Sequence, residues 1–191
     1  MKKILTNIIL VFIIPVSGFG QNYIESEKFE LSKFEYSDFM KIQSENEKFD
    51  GYMSIFIKNK KGDNLKEIMV YGESYENDAT VQELENIQFT NVQKILKVQI
   101  SECACYCNTT LYYWLITDQN DWIPLPIVEQ ESYEFEMKSK EYVFSKNGIN
   151  TIELKEYQDE RIDKSIYTLE NIKRKSERVI NTLIWNGKSL K

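Results

Sequence analysis

Glu141-Tyr142-Val143-Phe144-Ser145-Lys146-Asn147-Gly148-Ile149-Asn150-Thr151-Ile152-Glu153-Leu154 decides the fold class. Two β-prone runs, 141–144 and 151–154, flank Asn147-Gly148. Both central residues of a type I′ turn need a positive φ, which Asn and Gly tolerate, so the dipeptide predicts a hairpin. Working outward, the same plan recurs. Asn186-Gly187 lies between Leu183-Ile184-Trp185 and Lys188-Ser189-Leu190. Residues 53–57 (Met-Ser-Ile-Phe-Ile) pass through the polar run 58–64, with Gly62, into Ile68-Met69-Val70-Tyr71. That is strand, turn, strand.

The middle of the chain reads the same way. Over 93–100, Leu96, Val98 and Ile100 fall on one face. Leu111-Tyr112-Tyr113-Trp114-Leu115-Ile116 is apolar on both faces, the mark of a central strand or one covered on each side. Asp118-Gln119-Asn120-Asp121 turns the chain, and Trp122-Ile123-Pro124-Leu125-Pro126 returns. Its two prolines donate no ladder hydrogen bonds, so that return is expected to be an edge or to end early. Tyr133-Glu134-Phe135-Glu136-Met137 alternates aromatic or Met with acid, as a half-buried strand does.

Two segments resist the β reading. Residues 36–47 suit a short helix, with Ser37 as N-cap and Phe39, Met40 and Ile42 inward. Leu169, Ile172, Ser176, Val179, Ile180 and Leu183 fall at helical spacing, but the same span also reads as a hairpin turning near Lys175-Ser176-Glu177. Strands are preferred there. The expected fold is mainly β: an antiparallel hairpin meander forming a curved sheet, sandwich or barrel, with one or two short helices.

The chain has 191 residues and no histidine. Ser-His-Asp triads, Cys-His pairs and His-ligated metals are therefore closed to it. Met1-Lys2-Lys3, the mostly apolar run 4–14 and Gly18-Phe19-Gly20 before Gln21 have the form of a secretory signal peptide over residues 1–20. The apolar run is too short to span a bilayer, which takes about 20 residues. A single mainly-β domain over 21–191 is expected outside the cytoplasm, periplasmic or secreted, with no membrane span after cleavage. The whole chain carries 24 Lys and Arg against 30 Asp and Glu. Removing the leader takes two lysines and no acid, leaving 22 against 30, a net charge of −8. An acidic surface repels phosphate backbones, so nucleic acid is not an expected partner. The basic groups Lys58-Asn59-Lys60-Lys61 and Lys173-Arg174-Lys175 read as solvated faces or turns.

All three cysteines fall in Cys103-Ala104-Cys105-Tyr106-Cys107. On one extended strand they would line one side, with neighbouring Cα atoms about 6.6 Å apart. That is at the limit for a disulfide and too spread for three thiolates on one ion. Three readings stay open: small structural core residues, one strained disulfide with a redox or folding role, or a soft-metal site for Cu(I) or Zn. A catalytic thiol is disfavoured, because no histidine serves as base and Glu102 would raise its pKa.

Tyr112, Tyr113, Trp114 and Trp122 cluster around one expected hairpin. Core packing is the plainer reading. The functional one is a recognition face of Tyr112, Trp114 and Trp122, since Tyr and Trp are enriched at binding hot spots. The leading function class is an exported, non-enzymatic binding protein, of inhibitor or immunity type, for a protein partner of basic character. No cofactor is expected for it. The alternative is a thiol- or soft-metal-handling protein built on Cys103, Cys105 and Cys107. A weaker alternative is a carboxylate-dependent hydrolase, for which no spacing selects a pair.

Overall fold

The paired strands 92–103 and 106–117 form the centre of the molecule, because both carry large side chains on both faces. A computed structural model of the chain describes residues 23–33, 36–46, 48–72, 78–84, 88–103, 106–133, 136–146, 150–161 and 172–191. The expected leader and Asn147-Gly148 lie outside the described residues. In chain order the elements are β1 (Tyr23–Glu25), β2 (Phe29–Leu31), α1 (Tyr36–Glu45), β3 (Tyr52–Asn59), β4 (Asn64–Tyr71), β5 (Asp78–Leu84), β6 (Val92–Cys103), β7 (Tyr106–Thr117), β8 (Trp122–Pro124), β9 (Val128–Tyr133), β10 (Glu136–Lys146), β11 (Asn150–Arg161) and β12 (Ile172–Trp185). Among the described residues the protein is mainly β with one helix, and the strand pairings are antiparallel.

The strands make two sheets. The larger follows the order β1-β5-β6-β7-β9-β10-β11-β12, with β8 also on β7; the smaller is β2-β3-β4. Period-two alternation in β6 and β7 assigns each residue to one of two cores. Leu96, Val98, Ile100, Trp114 and Ile116 pack against Ile55, Ile57, Ile68 and Val70 of the small sheet. Ile95, Leu111, Tyr113 and Leu115 turn the other way and meet Val128, Tyr142, Phe144, Ile152 and Trp185. Those last residues belong to the same large sheet, so the sheet curls around its own second face. Contacts across the curl include the following. Tyr113 and Tyr142 meet edge to face at 5.2 Å. Trp185 Nε1 donates to the Thr90 carbonyl at 2.8 Å. Asn91 Nδ2 donates to the Gly187 carbonyl at 3.2 Å.

The chain changes sheets at Ser26. β1 pairs with β5 in the large sheet and β2 with β3 in the small one. The Ser26 hydroxyl accepts from the backbone N–H of Lys28 at 3.2 Å and of Phe29 at 3.0 Å, fixing the turn. It donates to Glu83 Oε1 at 2.5 Å, and Glu83 also pairs with Lys94 of β6.

Several expectations need correction. β12 is one strand, so neither the helix nor the hairpin expected over 169–183 forms within its residues. Its polar trio Lys175-Ser176-Glu177 lies mid-strand. The register with β11 steps from Gln158↔Ser176 to Asp159↔Arg174, and from Leu154↔Asn181 to Lys155↔Val179, leaving Lys175 and Ile180 as bulged residues. Bulges interrupt the period of two, which is why the apolar spacing imitated a helix. The alternating run 133–137 is divided between two strands: β9 ends at Tyr133, β10 begins at Glu136, and Met137 lies opposite Ser132. Residues 134 and 135 lie outside the described residues. The helix α1 starts at Tyr36, so Ser37 sits in its first turn rather than at the N-cap. Phe39 is fully buried, while Met40 and Ile42 are exposed. One aromatic anchors the helix: Phe39 meets Phe49 at 5.7 Å and Tyr71 at 6.3 Å, and it covers Gly72 so closely that a Cβ there would lie 2.1 Å from its ring.

Candidate functional site

The aromatic group singled out in the sequence is brought together, beneath the small sheet. Tyr112 and Trp114 alternate onto the same face of β7 and stack at 6.1 Å with planes 9° apart. Trp122, opposite Ile116 on β8, meets Trp114 at 6.0 Å and Phe29 of β2 at 5.9 Å. Trp114 is only 4% exposed, and Tyr112 and Trp122 are half-buried. This face is covered by β2–β4, so Trp114 is core and only the rim of the group reaches solvent. At that rim the Tyr112 hydroxyl donates to the Met69 carbonyl of β4 at 3.1 Å. Burial raises the Tyr112 pKa, and Glu129 and Tyr52 add to it, so the phenol stays a donor.

Beyond this rim lies a surface that the sequence reading missed. β3 and β4 pair with Tyr52 opposite Tyr71, Ser54 opposite Met69 and Phe56 opposite Glu67. The intervening residues Met53, Ile55, Ile68 and Val70 are buried, so the pleat turns this second set outward. Tyr52 is 53% exposed, Met69 54% and Tyr71 40%. Tyr52 and Tyr71 meet edge to face at 5.9 Å. Asp50, whose carboxylate accepts from the Tyr52 N–H at 3.1 Å, and Glu67, which accepts from the Ser54 hydroxyl, put negative charge beside the rings. Among the described residues β4 has a strand neighbour on one side only. Its Met69 carbonyl points away from β3 and takes the Tyr112 hydroxyl. The available signal was β3 and β4 themselves, which carry large side chains at both parities.

The cysteines do not share one strand. β6 ends at Cys103, β7 begins at Tyr106, and the register sets Cys103 opposite Cys107. The single-strand geometry considered from sequence is replaced by a hairpin end. Cys105 lies outside the described residues. Among the described residues no group of three His, Cys, Asp or Glu is placed to hold a metal ion.

Charged groups gather on the inner side of the curled large sheet. Lys97 Nζ lies 3.6 Å from Glu141 Oε1 and 4.7 Å from the centre of the Tyr23 ring. Burial raises the Glu141 pKa, with Lys97 opposing. Burial likewise lifts the Tyr23 and Tyr113 phenols well above their ordinary value. Further along β11, Arg174 binds Asp159 through Nε at 2.7 Å and stacks on the Tyr157 ring at 4.0 Å. Glu141 of β10 faces Lys97 of β6 across the curl, whereas Asp159 of β11 faces Arg174 on the neighbouring strand β12; both are arranged as structural ties.

No family model, curated protein or solved structure matches this chain. Among the described residues no helix is long and apolar enough to cross a membrane.

Proposed function

We propose that this chain is an exported, non-enzymatic binding protein that captures a basic protein partner through the outer face of β3 and β4. The observation that carries the reading is the exposed Tyr52, Met69 and Tyr71 beside a strand with an open side, bordered by Asp50 and Glu67. The tyrosines supply contact area at low cost in lost rotamer freedom, and Met adapts its shape to fill gaps against a partner. Among the described residues no strand lies on the side of β4 away from β3, and its backbone groups there, apart from the Met69 carbonyl taken by Tyr112, are offered to an added strand. The acidic border and the net charge of the processed chain favour a partner rich in Lys and Arg, and steer its approach. The leader-like first 20 residues support export. Nucleic acid is disfavoured by the same charge.

The test is affinity capture from the native extracytoplasmic fraction at low and high salt, with wild type and a Tyr52→Ala/Met69→Ala variant as baits. The expected result is a basic protein held by wild type at low salt, weakened at high salt and lost with the variant, whose circular dichroism stays that of wild type. Failure to capture any basic protein, or capture that survives both the double substitution and high salt, would overturn the reading.

A further inference from the structure

We propose that Cys103 and Cys107 form a disulfide across the end of the β6–β7 hairpin, leaving Cys105 as the free thiol. The inference is independent of what the outer face of β4 binds. Cys103 and Cys107 are directly opposed in the last pair of the β6–β7 register. Directly opposed residues of an antiparallel pair have Cα atoms about 4.5–5.5 Å apart. That spacing lies inside the range of about 4.4–6.8 Å that disulfides occupy. On backbone register, 103 and 107 are the described pair of cysteines that meets this spacing. The register position of the same parity, two residues back on each strand, is Ser101 and Thr109. Their hydroxyl oxygens are 3.0 Å apart, so the two strands are closely paired at that register position. Cys107 is held on its other side by pairing with Ser132 of β9, which fixes its strand within the sheet.

The oxidant is a small-molecule disulfide. A thiolate of the pair attacks its S–S bond, and one half leaves as a thiol. The second cysteine then attacks the mixed disulfide, forms the protein S–S bond and releases the other half. Two protons and two electrons leave the protein and reappear in two small-molecule thiols.

The test uses the full chain and its Cys105→Ser variant, reduced, freed of reductant and equilibrated with glutathione disulfide in native buffer. The expected result is that Cys105→Ser loses about 2 Da, the mass of two hydrogens, and all alkylable thiol. Wild type keeps one alkylable thiol, which fragmentation places at Cys105. Wild type oxidised in urea, where no register exists, is expected to spread the bond over more than one pair. Two alkylable thiols in Cys105→Ser, a persistent glutathione adduct on Cys103 or Cys107, or a native bond that includes Cys105 would each overturn the proposal. The wild-type measurement stands by itself if the variant fails to fold.

Discussion

Glu83 shows how one carboxylate can hold a topological switch. It accepts from Ser26, which turns the chain from one sheet to the other, and it pairs with Lys94 of β6. Burial alone would raise its pKa; hydrogen bonds from Lys94 and Ser26, with the Lys94 charge, outweigh burial and hold it below the ordinary carboxylate value. A folded pKa below the unfolded one gives stability that is present above the unfolded value and lost as pH falls through the folded value. Glu83→Gln is therefore expected to cost about 1–2 kcal/mol at neutral pH. The deficit should shrink as the medium is acidified through the carboxylate range. Urea unfolding of both proteins at neutral and acidic pH measures it, and a deficit that grows with acid would contradict the assignment.

The helix α1 illustrates an element anchored through a buried aromatic side chain. Phe39 sits over Gly72, where a Cβ would strike its ring. Gly72→Ala is expected to cost about 1–3 kcal/mol by overpacking, read as a lower urea midpoint with unchanged slope. An unaffected midpoint would mean that the ring moves aside freely. The strands were largely legible in the sequence because hydrophobic alternation survives wherever one face is buried. Met53–Ile57 reads correctly for that reason, Leu111–Ile116 because it is apolar on both faces and is covered on both, and Trp122–Pro124 because its prolines end the strand early. β12 did not, because two bulges shift its phase. The same bulges have a use: they twist a long outer strand whose exposed side carries Val179 and Ile180, which blunts edge-to-edge pairing. The site was legible only in part. Sequence grouped Tyr112, Trp114 and Trp122 correctly, but which face another sheet covers is a long-range fact that local pattern does not carry.

For the molecule as a whole, the two cores share one hairpin. The three tryptophans report on both: Trp114 and Trp122 lie between the sheets, and Trp185 lies inside the curl. Because β6 and β7 supply side chains to each core, loss of either removes support from the other, and unfolding is expected as one cooperative event. Trp185→Phe, and the paired Trp114→Phe/Trp122→Phe variant, leave emission from one core each. Within each protein, emission and far-ultraviolet circular dichroism should change at the same urea concentration; separated midpoints would mean that the cores melt apart. The doubly covered β6–β7 pair also makes the sequence intolerant of slippage. One residue inserted after Leu96 would send Val98 and Ile100 to the side now holding Lys97 and Gln99, and bring those polar chains beneath the small sheet. A frame error of one step there would empty two interiors together, so length in this segment is under stricter constraint than composition.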